Sequence, residues 1–295
     1  MRTTLQTLVY LRRLQPAQRA LLGKKRIEGR FTAVELLELL RPLAEFDGLN
    51  DRARGNSAWL IVLLVVVLVV GLFVAHALSW LFLGIGLAIL LITLATLIVV
   101  EVRLQRLDVS NNLRRVALPF FAVLREDMPS DEPLQVSVDL TPSMTTAKKL
   151  RKDAPYALGS YHQVVDTHYA DPWFSGSARL ADGSRLRWEV IDEVLHSSRT
   201  KRNPRGKIKT KSKFAKRSLL RAMVSLPKDN YQYSDQHGVP TRTRITARGD
   251  DRRTAVKLSR KLKSGDAEPF DVGELIELVS SAYRRVRPAT QGAAQ

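Results

Sequence analysis

The stretch that decides the fold is "AWLIVLLVVVLVVGLFVAHALSWLFLGIGLAILLITLATLIVV", Ala58 to Val100, 43 residues without a single Asp, Glu, Lys or Arg. A helix rises about 1.5 Å per residue and the hydrocarbon core of a bilayer is about 30 Å thick, so one crossing takes about 20 residues. The run is twice that length, and one continuous helix would leave half of its apolar side chains in water. The chain must cross, turn and return. Polarity enters mid-run at "AHALSW", where His76 and Ser79 can meet water. Trp80 suits the headgroup level there, as Trp59 does at the opposite interface. The expected spans are about 58–76 and 80–101. Both should be helical, because backbone polar groups in lipid must bond internally; this overrides the strand preference of the Val-rich first span.

No ionisable acid or base interrupts either span, which argues against a pump, a proton relay or an ion path within these two helices. A pore built by self-association stays open as an alternative. Gly84 and Gly86 lack the four-residue spacing of a close-packing motif and read as ordinary membrane glycines. Arg52 and Arg54 precede the first span, Arg103, Arg106, Arg114 and Arg115 follow the second, and the loop between has no Lys or Arg. The positive-inside rule then places both termini in the cytoplasm. The expected location is the cytoplasmic (inner) membrane, with the chain multi-pass. "MRTTLQTLVYLRRL" does not read as a secretory signal, since Arg12 and Arg13 cut its apolar stretch short.

Residues 1–57 read as an N-terminal cytoplasmic helical region. Leu5, Leu8, Val9, Leu11 and Leu14 approximate a helical stripe, and Pro16 breaks it. "TAVE", Thr32 to Glu35, is a capping box opening a helix that should end after about Glu45, near "FDGLN", with Pro42 a point of kinking. That helix either lies on the bilayer surface or packs against the C-terminal domain. Residues 102–127 read as a juxtamembrane helical segment that "MPSDEP" ends. The domain 128–287 reads as basic and β-rich. "LQVSVDL", "SYHQVVDTHYA", "WFSGSARLA" and "SRLRWEVIDEVLHS" are strands, and Asp182-Gly183 is a hairpin turn. "RRTAVKLSRKLK" looks helical, and "FDVGELIELVSSAYRRV" is a helix with Asp271 as N-cap and Glu274 closing the box. Residues 288–295 should be a disordered tail. The expected fold class is an integral membrane α-helical hairpin of two transmembrane helices plus a cytoplasmic α+β domain rich in antiparallel β-strands.

Composition narrows the function. The chain has 47 Lys and Arg against 29 Asp and Glu, a formal net charge of +18. Such an excess points to an anionic partner. There is no cysteine, which excludes disulfides, thiolate nucleophiles and Cys-ligated zinc. From Arg199 to Lys228 there are twelve basic residues and no acid. If the chain turns at "RNPRG", Lys207, Lys209, Lys211 and Lys213 fall on one face of a strand, with Ile208, Thr210, Ser212 and Phe214 on the other. Pairing outward from that turn puts Lys216 and Arg217 near Glu193 and Asp192.

Two readings follow. Lys-rich edge strands block edge-to-edge aggregation, and part of the charge answers Glu189, Asp192 and Glu193. Three acids cannot answer twelve bases, however, and "RTRIT" places Arg242 and Arg244 on a second basic element. The candidate anion-binding residues are therefore Lys207, Lys209, Lys211, Lys213, Lys216, Arg217, Arg242 and Arg244. Anionic lipid headgroups are the nearest ligand for a tethered domain. Nucleic acid comes second, because only Phe214 interrupts the run as a stacking platform and no DNA- or RNA-binding signature is present. An acidic protein partner comes third.

Enzymatic signals are sparse. His162, Asp166 and His168 share one strand parity and form the one candidate metal or acid–base set. Phosphate-binding Gly-rich loops, G-x-S-x-G and H-E-x-x-H are absent from the sequence. Trp173, Phe174 and Trp188 read as core rather than as a ligand box. No cofactor is expected. The sequence reads as a membrane-anchored, non-enzymatic binding or scaffolding protein, the alternatives being a nucleic-acid-binding membrane protein, a subunit of a transport or channel assembly, or a metal-dependent enzyme.

Overall fold

The computed structural model describes residues 2–75, 80–202, 205–234, 243–264 and 270–289. The turn read at His76 and Ser79 and the candidate Arg242 lie outside the described residues. The chain divides into two compact units, residues 1–25 with 39–109, and residues 26–38 with 110–295.

The first unit is helical. Helices α1 (Arg2–Arg13) and α2 (Pro16–Lys24) precede two long helices, α3 (Ala33–Ala75) and α4 (Trp80–Arg106). The capping box forms: the Thr32 amide donates to Glu35 Oε2 at 2.8 Å and the Glu35 amide donates to Thr32 Oγ1 at 3.2 Å. The helix does not end at "FDGLN", however; it runs through Pro42 and Gly48 for 43 residues. Burial explains this. Phe46, Asn50 and Ala53 are fully buried, Thr7 of α1 donates to the Leu49 carbonyl at 3.2 Å, and Asn50 Nδ2 donates to the Leu104 carbonyl of α4 at 3.2 Å. Packing on both sides outweighs the roughly 1 kcal/mol helix penalty of one glycine. Past Ala58 the surface reverses. Trp59, Leu63, Val66 and Val70 of α3 and Ile89 and Ile92 of α4 are exposed. Only 11% of the most apolar stretch of each helix is buried, and both helices are long and apolar enough to cross a membrane.

The second unit is a large antiparallel sheet with helices on one side. Its strands are β1 (Arg26–Phe31), β2 (Leu134–Asp139), β3 (Lys149–Lys152), β4 (Tyr156–Leu158), β5 (Tyr161–Arg179), β6 (Arg185–Arg202), β7 (Ile208–Pro227), β9 (Thr243–Gly249) and β10 (Arg253–Ser264). The order is β1-β2-β5-β6-β7-β10-β9, and β3 and β4 pair with further stretches of β5. A separate two-stranded sheet joins β8 (Tyr231–Tyr233) to β11 (Val286–Pro288). The 1–57 region, read as helical, thus contributes a strand: β1 pairs along its whole length with β2. Pro288, read as part of a disordered tail, lies in β11, and the Ala289 amide donates to the Asn230 carbonyl at 2.9 Å.

Strands β5, β6 and β7 are unusually long, 19, 18 and 20 residues, about 60–65 Å at roughly 3.3 Å per residue. Two turns set their register. Gly183 has φ +81° between β5 and β6, and Gly206 has φ +78° between β6 and β7. Both need the left-handed region that glycine enters freely. One face of the sheet is covered by a π-helical turn (Leu113–Ala117), by α5 (Leu118–Glu126) and by α6 (Val272–Tyr283). Here Phe120 and Phe121 of α5 meet Phe174 edge-on, at 5.5 and 5.4 Å between centroids, and Trp173 stacks on Phe174 at 5.3 Å. Trp173, Phe174 and Trp188 are buried core, as the sequence suggests.

Two local readings are corrected. "RRTAVKLSRKLK" is strand β10, not helix. Its alternate residues Thr254, Val256, Leu258 and Arg260 are buried, because β7 and β9 pair with it on both sides. Asp271 caps α6 through the Gly273 amide at 3.1 Å, but Glu274 does not close a box. It pairs instead with the buried Arg260, which also holds Glu277 at 2.7 Å and so ties α6 to β10.

Candidate functional site

Among the described residues the covering helices lie on one face of the sheet, and the other face is largely exposed or half-exposed, apart from the buried Val164 and Ser197. Along β6 this face carries Arg187, Glu189, Ile191, Glu193, Leu195, Ser197, Arg199 and Lys201, every second residue. Register places β7 beside it: Lys209 opposite Lys201, Lys211 opposite Arg199, Lys213 opposite Ser197, Arg217 opposite Glu193, and Arg221 opposite Glu189. Directly opposed residues share a face, so Lys209, Lys211 and Lys213 form one basic row with Arg199 and Lys201. Lys207 precedes the first residue of β7.

This end of the sheet differs from the rest. Strand β10 pairs only with Lys216–Pro227 of β7, so Ile208–Ala215 has a partner on one edge alone among the described residues, and every residue of it is exposed. The edge-strand reading is correct as geometry. It does not account for Arg199 and Lys201, which lie on β6 between two paired neighbours.

Three carboxylates near the run are taken, and a fourth, Asp166, opposite Ser197 on the same face, lies close enough for Arg199 to help hold its carboxyl below the ordinary range. Asp192 accepts from Lys216 Nζ at 2.7 Å and from Ser218 Oγ at 2.6 Å. Glu189 pairs with Arg221 at 2.8 Å, and Glu193 with Lys261 at 2.7 Å. Lys216 thus lies on the covered face and neutralises a buried acid, which removes it from the anion-binding set. Among the described residues Lys201, Lys207, Lys209, Lys211 and Lys213 have no carboxylate partner.

Towards the other end of β6 and β7 the open face forms a trough. One depression of about 540 Å³ is bordered by His168, Leu195, Arg217 and Arg221. The next, about 680 Å³, is bordered by Arg187, Arg221, Arg244 and Lys257, with Glu28 and Glu189 as its acids. Arg244 therefore joins the same face as Lys209, although it lies on the far edge strand β9. Arg187, Arg199, Lys201 and Lys257 were not singled out from the sequence. Counting register from the "NPRG" turn would have found the two on β6 nearest to it; Arg187 and Lys257 needed the pairing of distant strands.

The His162, Asp166 and His168 set is not brought together. His162 is exposed, Asp166 accepts from Tyr156 Oη at 2.9 Å, and His168 Nε2 stands 3.0 Å from Asp153 Oδ2 with Arg151 at 3.3 Å. Hydrogen bonds from Ser197 and Tyr156 hold the Asp166 carboxyl below its ordinary range. In the helical unit, the carboxylates of Asp47, Asp51 and Asp108 lie within 4.8 Å of one another, an arrangement the sequence reading missed. A cation of the chain is already there: Arg54 meets Asp108 at 2.6 Å and Glu101 at 3.4 Å.

A second charged group lies on the covered face. Asp171 is directly opposite Asp192 across β5 and β6. Lys148 Nζ stands 2.7 Å from Asp171 and 3.4 Å from Asp139, and donates to the Thr141 carbonyl at 3.0 Å. Burial pushes the Asp171 carboxyl up from its ordinary value, with Lys148 opposing that shift. This network holds β2, β5 and β6 together where the aromatic core ends.

Compared with known proteins, the chain matches no family model, no curated protein and no solved structure.

Proposed function

We propose that this chain is a membrane-anchored, non-enzymatic binding protein whose open, basic sheet face takes up the phosphates of anionic lipid headgroups. The observation that carries the reading is the cluster Lys209, Lys211, Lys213, Arg199 and Lys201. It is exposed or half-exposed and spread over an edge strand and an inner strand; among the described residues its four lysines have no carboxylate partner, and Arg199 alone faces one, Asp166. The anchor in this reading is the pair α3 and α4, whose apolar halves are largely unburied; by positive-inside the sheet unit lies on the cytoplasmic side. Each Lys or Arg near an anionic leaflet contributes about 1 kcal/mol, and tethering keeps the leaflet at high effective concentration.

Nucleic acid is the second reading, supported by the length of the basic face. The ring stack of this arm, His196 on Phe214 at 4.7 Å, belongs to the opposite strand parity, and the ring beside the basic cluster, Tyr161, already carries the Arg199 guanidinium at 5.9 Å, which leaves it a poor stacking platform for bases. The test uses the full chain in neutral nanodiscs fixed to beads. It should capture phosphatidylglycerol vesicles, with salt reversing the capture, and the triple variant Lys209→Glu, Lys211→Glu, Lys213→Glu should lower capture by at least about a hundredfold. Capture that persists in the variant would defeat the reading. Displacement by duplex DNA at equal phosphate concentration would promote the second.

A further inference from the structure

We infer that the end of this β-arm inserts shallowly into the bilayer, with Ile208 and Leu158 entering the boundary between headgroups and acyl chains. The inference rests on the headgroup reading and adds an apolar contact to it. Two turns meet at this end. Leu158 lies opposite Tyr161 across the β4–β5 turn, where Gly159 has φ +56°, and Arg202 lies opposite Ile208 across the β6–β7 turn. Strands β5 and β6 stay paired as far as Gln163 and Thr200, so the β4–β5 and β6–β7 turns lie at the same end of the sheet. Leu158 and Ile208 thus lie at one end of the sheet, each beside a turn.

Ile208 is 68% exposed and Leu158 46%. A single exposed aliphatic residue needs no explanation, but two at one end of the sheet, each beside a turn, do. Their surroundings select the partner. Between Lys201 and Lys209 the chain places Lys201, Arg202, Arg205, Lys207 and Lys209 and no acid. A second copy of the same tip would be repelled. Apolar side chains flanked by long bases instead match the anionic bilayer interface, where the aliphatic stems of Lys and Arg lie along the apolar layer and their charges stay with the phosphates. The chain's own helices, apolar over two crossing lengths, keep such a surface at hand.

The chain has no cysteine, so Ile208→Cys gives one labelling site on the full chain. With the environment-sensitive dye NBD at this position, the protein is reconstituted into bilayers of phosphatidylcholine alone or with phosphatidylglycerol. Doxyl groups on the acyl chains report insertion; energy transfer to a headgroup-linked rhodamine reports docking. The expected result is blue-shifted, doxyl-quenched emission in phosphatidylglycerol bilayers, lost in phosphatidylcholine and weakened by Leu158→Ser. Energy transfer that rises with phosphatidylglycerol, without doxyl quenching, would overturn insertion and leave headgroup docking standing. Energy transfer indifferent to phosphatidylglycerol and salt would overturn both.

Discussion

Gly176→Ala is expected to lower the stability of the sheet unit by about 3 kcal/mol, the upper part of the usual range for overpacking. Gly176 lies opposite Trp188 in β5 and β6. A Cβ there would stand 2.3 Å from the Trp188 ring and 2.5 Å from the backbone oxygen of Gln135. Neither neighbour can yield cheaply. Gln135 is fixed by its pairing with Ser177, and the Trp188 ring is held by Phe120 and Phe174 at 5.2 and 5.7 Å. Trimming the ring as well, in Gly176→Ala with Trp188→Leu, should recover little, because the clash with the carbonyl remains. Denaturant unfolding of the full chain in detergent, followed by tryptophan fluorescence, measures this. A midpoint unchanged in Gly176→Ala would show that β2 does not approach β5 as described.

Lys148→Met is expected to cost about 3–5 kcal/mol at neutral pH, the usual effect of removing one partner of a buried ion pair. The Lys148 and Asp171 side chains are 6% and 3% exposed, and without the ammonium Asp171 faces Asp192 across the strands. The effect should depend on pH with a definite sign. Burial raises the carboxyl of Asp171 above its ordinary 3.8. A raised folded-state value means stability is fully present below the unfolded value and falls as pH rises through the folded one. Removing Lys148 raises the folded value further and widens that window. The difference between wild type and Lys148→Met should therefore be largest near neutrality and shrink as pH falls towards 3.8, where Asp171 is protonated in both. A difference independent of pH would mean that Lys148 acts through its packing alone.

Much of this fold was legible because local signals agreed with tertiary context. Two long apolar helices, the Asp182-Gly183 turn, the strands on either side of it and the Thr32–Glu35 box are all present as the sequence suggests. The failures share a cause, which is partners far away in sequence. Gly48 reads as a helix end until Thr7 and Leu104 are known to hold that stretch. Val256, Leu258 and Leu262 fit either period until β7 and β9 claim both edges of the segment. "RIEGRF", Arg26 to Phe31, is too short to stand out, and it becomes a strand because β2, more than a hundred residues later, offers it an edge.

The basic site was partly legible for the same reason. The Lys row follows from period two and one turn. That Lys216 turns to Asp192 while Arg244 joins the open face depends on which strand lies next to which. The sheet unit also reaches back beyond Met128: Phe120 and Phe121 of α5 pack on the sheet and β1 pairs within it. Binding measurements on it require the full chain.

Lysine acetylation of the full chain in proteoliposomes tests most directly the proposed contact of Lys207, Lys209, Lys211 and Lys213 with lipid phosphate. Lys228, exposed just past the other end of β7, serves as the internal reference. The expected result is that these four lysines are protected in phosphatidylglycerol bilayers, react freely in phosphatidylcholine, and regain reactivity as salt screens the contact. Equal labelling of the row and of Lys228 in both bilayers would contradict it and leave the lysines as a solvated strand edge.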